Sequence, residues 1–251
     1  MKIISSKYSG RDKQINVKPI GDVHIGHVNC NYKLLDSHLK ELNETTRCIL
    51  MGDILECATK DSIGKGVFET NLTPKQQINR AIEILEPYKD YIDGAVIGNH
   101  ETRISNITSL DVMDIICKEL NIPYLGYQGI VKYAWNEVCY TINMWHGSGG
   151  GASIQSAFKT LEDMANKMYA DIYCCGHVHK LGTSSRTFKI PDTRNNIIRK
   201  IKQHFVLTGS CLESDDGYAE MKGLHERILG YPLITLNGNK RARYIKVSME
   251  G

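Results

Sequence analysis

Five short blocks hold the residues best suited to chemistry: Gly21-Asp22-Val23-His24, Gly52-Asp53, Gly98-Asn99-His100-Glu101, His146-Gly147 and Gly176-His177-Val178-His179. Together they contain five of the chain's nine histidines. Imidazole, carboxylate and carboxamide are donors to divalent cations, and the set has no thiolate. Such mixed donors suit Mn²⁺, Fe, Zn²⁺ or Ni²⁺ at expanded coordination rather than a cysteine-rich structural zinc. Glycine precedes most of the blocks, which suits a chain that must turn sharply and bring its backbone close to a bound ion. Asp22 and His24 are two residues apart, as are His177 and His179. In an extended segment such residues project to the same side, so each pair is expected to reach a shared centre.

Each block closes a segment that reads as a strand: INVKPIGDVH, RCILMGD, GAVIGNH, the run ending at His146, and ADIYCCGHVH. Ligand sites in open α/β sheets gather beyond the carboxyl ends of strands, where these blocks fall. Helical spacing of Leu34, Leu35, His38, Leu39 and Leu42 marks a helix over 32–42. A second opens at a Thr73 cap with Pro74 in its first turn and turns Ile78, Ala81, Ile82 and Leu85 to one face. A third is expected over 109–120. The β-α-β-α rhythm then gives way to a more antiparallel texture: two strands joined at Asn136-Glu137, a helix from about Ser153, and the strand-like runs SSRTFKIP, IRKIKQHFVLTG, PLITLNG and ARYIKVSM. The economical architecture is an α/β fold, a four-layer α/β/β/α sandwich with two central mixed sheets, in one domain spanning 1–251.

At 41% apolar and 24% charged residues the composition is that of an ordinary globular protein, and a net charge of +3 identifies no partner. The local balance differs. Arg186, Lys189, Arg194, Arg199, Lys200 and Lys202 face Asp192 alone, a local +5, on a strand pair at about 183–208. This is either a solvated hairpin or a contact surface for phosphate-rich substrate near the active site. The eight cysteines follow no disulfide pattern, and Cys48, Cys117, Cys139, Cys174 and Cys175 fall in apolar runs. The first residues lack the apolar run of a signal peptide, and no stretch approaches the ~18 apolar residues that span a bilayer. A reduced, cytoplasmic protein without membrane contact is expected.

The order D-x-H, G-D, G-N-H-E, H-G, G-H-x-H, running from Asp22 to His179, resembles the calcineurin-like metallophosphoesterases, a family of binuclear-metal phosphatases and phosphodiesterases. The resemblance implies the four-layer sandwich and two divalent cations, Mn²⁺ first, with Fe, Zn²⁺ or Ni²⁺ as alternatives. It assigns Asp22, His24 and His179 to one metal, Asn99, His146 and His177 to the other, and Asp53 to both. His100 becomes a catalytic group that faces the leaving group without binding metal. Glu56 occupies the position of an aspartate that orients this histidine in the protein-phosphatase branch, and is its candidate orienter. Arg103 and Asn99 are candidates to hold substrate phosphate, Arg103 through its planar fork. Glu101 is not expected to touch substrate. His27 reads as a bystander, and His38, His204 and His225 as structural. HGSGGGAS lacks the lysine of a P-loop and reads as a tight turn before a helix.

Two such metals, roughly 3.5–4 Å apart, can clamp one phosphate and lower the pKa of a shared water from 15.7 towards about 7. A metal-bridging hydroxide would then attack phosphorus directly, in line with the leaving oxygen. The segment GDILECA lacks the arginine that serine/threonine protein phosphatases carry after this position. Glu101 stands where the repair-nuclease branch usually has aspartate. The layout is closest to compact bacterial and phage-encoded members. The expected function is a binuclear metal-dependent phosphodiesterase acting on a nucleotide or nucleic acid. A phosphomonoesterase is the runner-up, and a nuclease-like binding subunit the third reading. A rim loop at about 210–231, with Tyr218 placed to stack on a base, completes the expectations; no oligomeric state is legible.

Overall fold

Parallel pairing of three short apolar strands builds the half of the molecule that carries the first site blocks. In the computed structural model, which describes residues 1–8, 14–59, 69–135, 137–149, 153–213 and 228–250, these strands are β2 (Gln14–Ile20), β3 (Thr46–Leu50) and β4 (Ile92–Ala95). Helices α1 (Tyr32–Lys40) and α2 (Pro74–Leu85) lie in the crossovers between them, and α3 (Asn99–Thr108) and α4 (Val112–Glu119) follow β4. Thr73 caps α2 as expected: its Oγ1 accepts from Gln76 N–H while Gln76 Oε1 accepts from Thr73 N–H. Two late strands, β10 (Tyr231–Asn237) and β11 (Ile245–Glu250), return antiparallel beside β2 to give the order β11-β10-β2-β3-β4.

The second sheet has six strands. β1 (Lys2–Lys7), β5 (Gln128–Ala134), β6 (Cys139–Trp145), β7 (Ile172–Cys175), β9 (Ile197–Thr208) and β8 (Leu181–Asp192) lie side by side in that order. Helix α5 (Ile154–Lys167), capped by Ser153, crosses from β6 to β7. Both sheets are mixed. Val17, Ile49 and Val96 from one meet Val131, Ile142, Met144, Ile172 and Val206 from the other in a shared core. Leu35, Leu39, Ala81, Leu85, Met113 and Ile116 cover the outer face of the first sheet. Ala157, Leu161 and Met164 cover Tyr173, Cys175, Phe205 and Leu207 of the second. The layers are therefore α/β/β/α, held by burial of apolar side chains worth roughly 1.5–3 kcal/mol each.

Three expectations change. The last two strands join the first sheet rather than the second, because β10 pairs with β2, and the unread N-terminal strand β1 takes a place beside β5. The GNHE block does not end a strand: Asn99 opens α3, which Ser109 ends in a left-handed conformation (φ 61°) before Asp111 caps α4. α3 buries only Glu101, so it has no apolar face for the sequence to display. The basic hairpin forms, but it meets β7 only through His204–Leu207. Its outer part, from Arg186↔Gln203 to Asp192↔Ile197, therefore runs on past the amino end of β7. The eight cysteines are free and all but Cys139 are buried. Among the described residues no helix is long and apolar enough to cross a membrane.

Leu161 is fully buried between α5 and the second sheet. Leu161→Ala is expected to cost about 2–5 kcal/mol in urea denaturation, with the metal content of the folded protein unchanged. A loss of metal would mean that α5 itself positions the donors.

Candidate metal centre

The carboxyl ends of β2, β3, β6 and β7 and the first turn of α3 converge. Asp22, His24 and His179 form one group of donors, and Asp53, His146 and His177 another, each with its atoms within 4.8 Å of one another. In the first group His24 Nε2 lies 3.2 Å from His179 Nε2, which is 3.3 Å from Asp22 Oδ1. In the second, His146 Nε2 lies 3.1 Å from Asp53 Oδ2 and 3.0 Å from Asn99 Oδ1, and His177 Nδ1 lies 2.7 Å from the same Asn99 oxygen. The Asp53 carbonyl accepts from the N–H groups of Val23 and His24, which seats this residue between the two groups. The structure thus brings together all seven residues read as ligands from the sequence.

It does so with a backbone that differs from the expected extended one. Asp22, His24, Asp53, His177 and His179 have φ of 49°, 59°, 49°, 67° and 50°. Left-handed geometry at non-glycine residues costs about 1–3 kcal/mol each and persists where surrounding structure enforces it. Simple alternation is therefore lost, and His177 and His179 fall into different groups. Two glycines are dictated by close approach. A Cβ on Gly98 would lie 2.0 Å from Asp53 Oδ1, and one on Gly176 would lie 2.6 Å from Asp22 Oδ2.

Outside the donors stands a set of partners that fixes ring orientation. His24 Nδ1 is 2.8 Å from Glu56 Oε2, His146 Nδ1 donates to Met51 O at 2.8 Å, and His179 Nδ1 is 3.3 Å from Ser210 Oγ. With the Nδ1 proton given outward, each ring turns its Nε2 lone pair inward, the tautomer that a metal ligand needs. Ser210 Oγ in turn donates to the Asp22 carbonyl and accepts from Leu212 N–H. Glu101, fully buried, accepts from Asp53 N–H and Gly98 N–H at 3.0 Å and from Leu55 N–H at 2.9 Å.

His100 sits at the edge of the donors. Its N–H donates to Asp53 Oδ1 at 2.8 Å, and its ring stands edge-on to His24 with centroids 4.4 Å apart. Its Nδ1 is 2.8 Å from Glu56 O and 3.3 Å from Glu56 Oε2, so Glu56 reaches both His100 and His24. The Arg103 guanidinium lies against the same ring, 2.9 and 3.0 Å from its two nitrogens and 3.6 Å from Glu56 Oε1.

Burial, and then the charge of Asp53, push Asp22 up to about 7, and the same two causes push Glu101 up to about 7. Burial works the same way on Asp53, but His146 and His100 hold it well below the usual carboxylate range. Glu56 is also held low against burial, by hydrogen bonds from His100 and His24. Burial and the neighbouring His100 press His24 down to about 4, while Asp53 lifts His146 to about 10 against burial. Buried carboxylates ringed by inward-facing imidazoles fit divalent cations, which favour the deprotonated state of every donor.

No family model and no curated protein matches the chain. Among solved structures it is similar to Vacuolar Protein Sorting 29 from Cryptosporidium parvum, at 16% identity and TM-score 0.46, covering 95% of this chain and 98% of that one. Vps29 from Entamoeba histolytica complexed with zinc gives 13% and 0.45, with 94% and 99% covered. The calcineurin-like phosphoesterase YfkN from Bacillus subtilis gives 13% and 0.43, with 96% and 91% covered. Similarity at this level says nothing about activity. The block order from Asp22 to His179 remains the feature that resembles the calcineurin-like phosphoesterases.

Of the other residues singled out, His27 accepts from Asn29 N–H and stands near Glu69, outside the donors. His38 packs against Tyr231 and lies 3.0 Å from the buried Lys18 Nζ. His204 lies on β9 facing Ser185. His225, Tyr218 and most of the expected rim loop (214–227) lie outside the described residues. Of the two readings of the basic strand pair, a contact surface near the site does not fit: β9 runs parallel to β7, so its Thr208 end lies by the donors and its basic end lies away from them. Sequence reasoning missed Ser210 and the Met51 carbonyl, for which a serine in TGSC and a methionine in a strand give no signal.

Two outcomes test this geometry. Gly98→Ala should abolish stable metal loading, measured by elemental analysis after gel filtration. Ser210→Ala should weaken metal affinity roughly 10–100-fold in a chelator competition, and should also lower the metal-free melting temperature, because the part-buried Leu212 N–H loses its acceptor.

Proposed function

We propose that the chain is a calcineurin-like metallophosphoesterase, a hydrolase of phosphoesters that works with two divalent cations. The observation that carries this reading is the convergence of seven metal-competent donors with a histidine, His100, that stands beside them in reach of a carboxylate. Asp22, His24 and His179 would hold one cation, Asn99, His146 and His177 the other, and Asp53 both. Mn²⁺ is the first choice for these oxygen and imidazole donors, with Fe, Zn²⁺ and Ni²⁺ behind it. Such ions, when bound, supply Lewis-acid charge and acidify a coordinated water.

The chain's own groups do the rest. Glu56 fixes the His100 ring, which is positioned to give a proton to the departing ester oxygen. Arg103, about a quarter exposed, offers its guanidinium to a non-bridging phosphoryl oxygen. A hollow of about 240 Å³ opens beside His177, between Gly147–Gly149 and the start of α5, and among the described residues no charged side chain lines it. It gives room for the uncharged part of a substrate. Among the described residues Arg103 is the arginine that reaches this centre, and Glu56 beside it offsets its charge. That balance suits a diester, with one negative charge on phosphorus, better than a dianionic monoester. A nucleotide or nucleic-acid phosphodiester is therefore the proposed substrate, and a monoester the competitor.

Hydrolysis of bis-p-nitrophenyl phosphate should depend on added Mn²⁺, cease on chelation, and exceed that of p-nitrophenyl phosphate. Faster monoester turnover would overturn the substrate class; a metal-loaded protein inert towards both would leave a binding subunit instead. His100→Ala should keep its metals and lose about 10²–10⁴-fold in turnover, whereas Asp53→Asn should lose metal and turnover together.

A further inference from the structure

The outer part of the β8–β9 hairpin is a two-stranded ribbon flanked by no third strand among the described residues. From Arg186↔Gln203 to Asp192↔Ile197 it runs for about 20 Å at ~3.4 Å per residue, pointing away from the metal centre. Its cations are not equivalent. Arg186 donates to Gln203 Oε1 at 2.9 Å and covers the rings of Phe188 and Phe205, and Arg199 pairs with Asp192. Lys189, Arg194, Lys200 and Lys202 are exposed and form no ion pair or hydrogen bond with the described residues. Lys189 lies directly opposite Lys200, and Lys202 lies two residues further along on the same face. Like charges placed opposite each other weaken a strand pair, and no acid among the described residues pairs with them. Such an arrangement is complementary to an external polyanion.

We propose that this ribbon is a sequence-independent docking arm for duplex nucleic acid, with Lys189, Arg194, Lys200 and Lys202 meeting the phosphate backbone at the end of the sheet opposite the metal centre. A two-stranded ribbon has the width that the major groove of a duplex admits. Lysine contacts to phosphate position a protein without reading sequence. The cations are strung along the ribbon, from Lys202 near the sheet to Arg194 in the turn. A flat anionic membrane would meet only the turn, where Ile197 and Ile198 are 52% and 62% exposed, and would leave the lysines nearer the sheet unused. The arm does not depend on which ester the metal centre cuts.

The test uses the full chain in EDTA, so that no cleavage intervenes, with a fluorescent 25-base-pair duplex followed by anisotropy between 50 and 200 mM salt. Four phosphate contacts predict that log K falls against log[salt] with a slope near −3.6, at about −0.9 per phosphate. Lys200→Ala with Lys202→Ala should lower the magnitude of that slope by about 2 and weaken duplexes of unrelated sequence alike. Arginine at the same two positions should restore both, and no variant should melt below the parent. Full affinity and slope in the double alanine variant would overturn the proposal. So would binding of phosphatidylserine vesicles, but not of duplex, that Ile197→Ser with Ile198→Ser removes. Turnover of bis-p-nitrophenyl phosphate with Mn²⁺ is measured in parallel: its absence from every variant counts against the hydrolase and leaves the arm standing.

Discussion

Asp22 and Asp53 are carboxylates buried at the ends of neighbouring parallel strands, 0% and 1% exposed, and the architecture around them answers the problem this creates. Ionised carboxylates are not stable in a protein interior without compensating charge or protons. Here the compensation comes from imidazoles drawn in from the second sheet and from α3, and neither sheet alone can supply it. The face-to-face packing that makes the apolar core between the sheets is thus also what closes the ring of donors. Core and site depend on the same contact between layers.

The backbone bears a cost for this closure. Five donor residues occupy left-handed conformations that ordinary loops avoid, and two glycines leave no room for a Cβ between strands and carboxylates. Strain of this kind is kept only where other interactions over-determine the geometry. Those interactions are visible: the Glu101 carboxylate on three amides, the Asp22 carboxylate accepting from His177 N–H, and the Asp53 carbonyl accepting from Val23 and His24. Side-chain oxygen and backbone nitrogen hold one another, and this fixes the positions of the metal-competent atoms.

What the sequence displays and what it hides follow from how local each cause is. Donor type and block order are local, and so are the Thr73 capping box and the two turn-linked strands around residue 136. The layers follow from apolar periodicity. The left-handed donors do not, because φ at Asp22 or His177 is imposed by contacts with residues more than a hundred positions away. The helix at Asn99 is hidden because its single buried residue is an acid. Ser210 is hidden because its role comes from β9 delivering it under His179, and the true place of the basic hairpin because its register against β7 is a tertiary fact.

The carboxylate of Glu101 has a mechanical consequence. It sits on the first turn of α3, one residue after His100, and grips the amides of Asp53 and Leu55 from the facing loop. His100 N–H grips the Asp53 side chain as well. Helix and loop are therefore bolted as one piece. A rocking motion of α3 would carry the His100 ring and the Asp53 carboxylate through space together, and their mutual alignment would survive it.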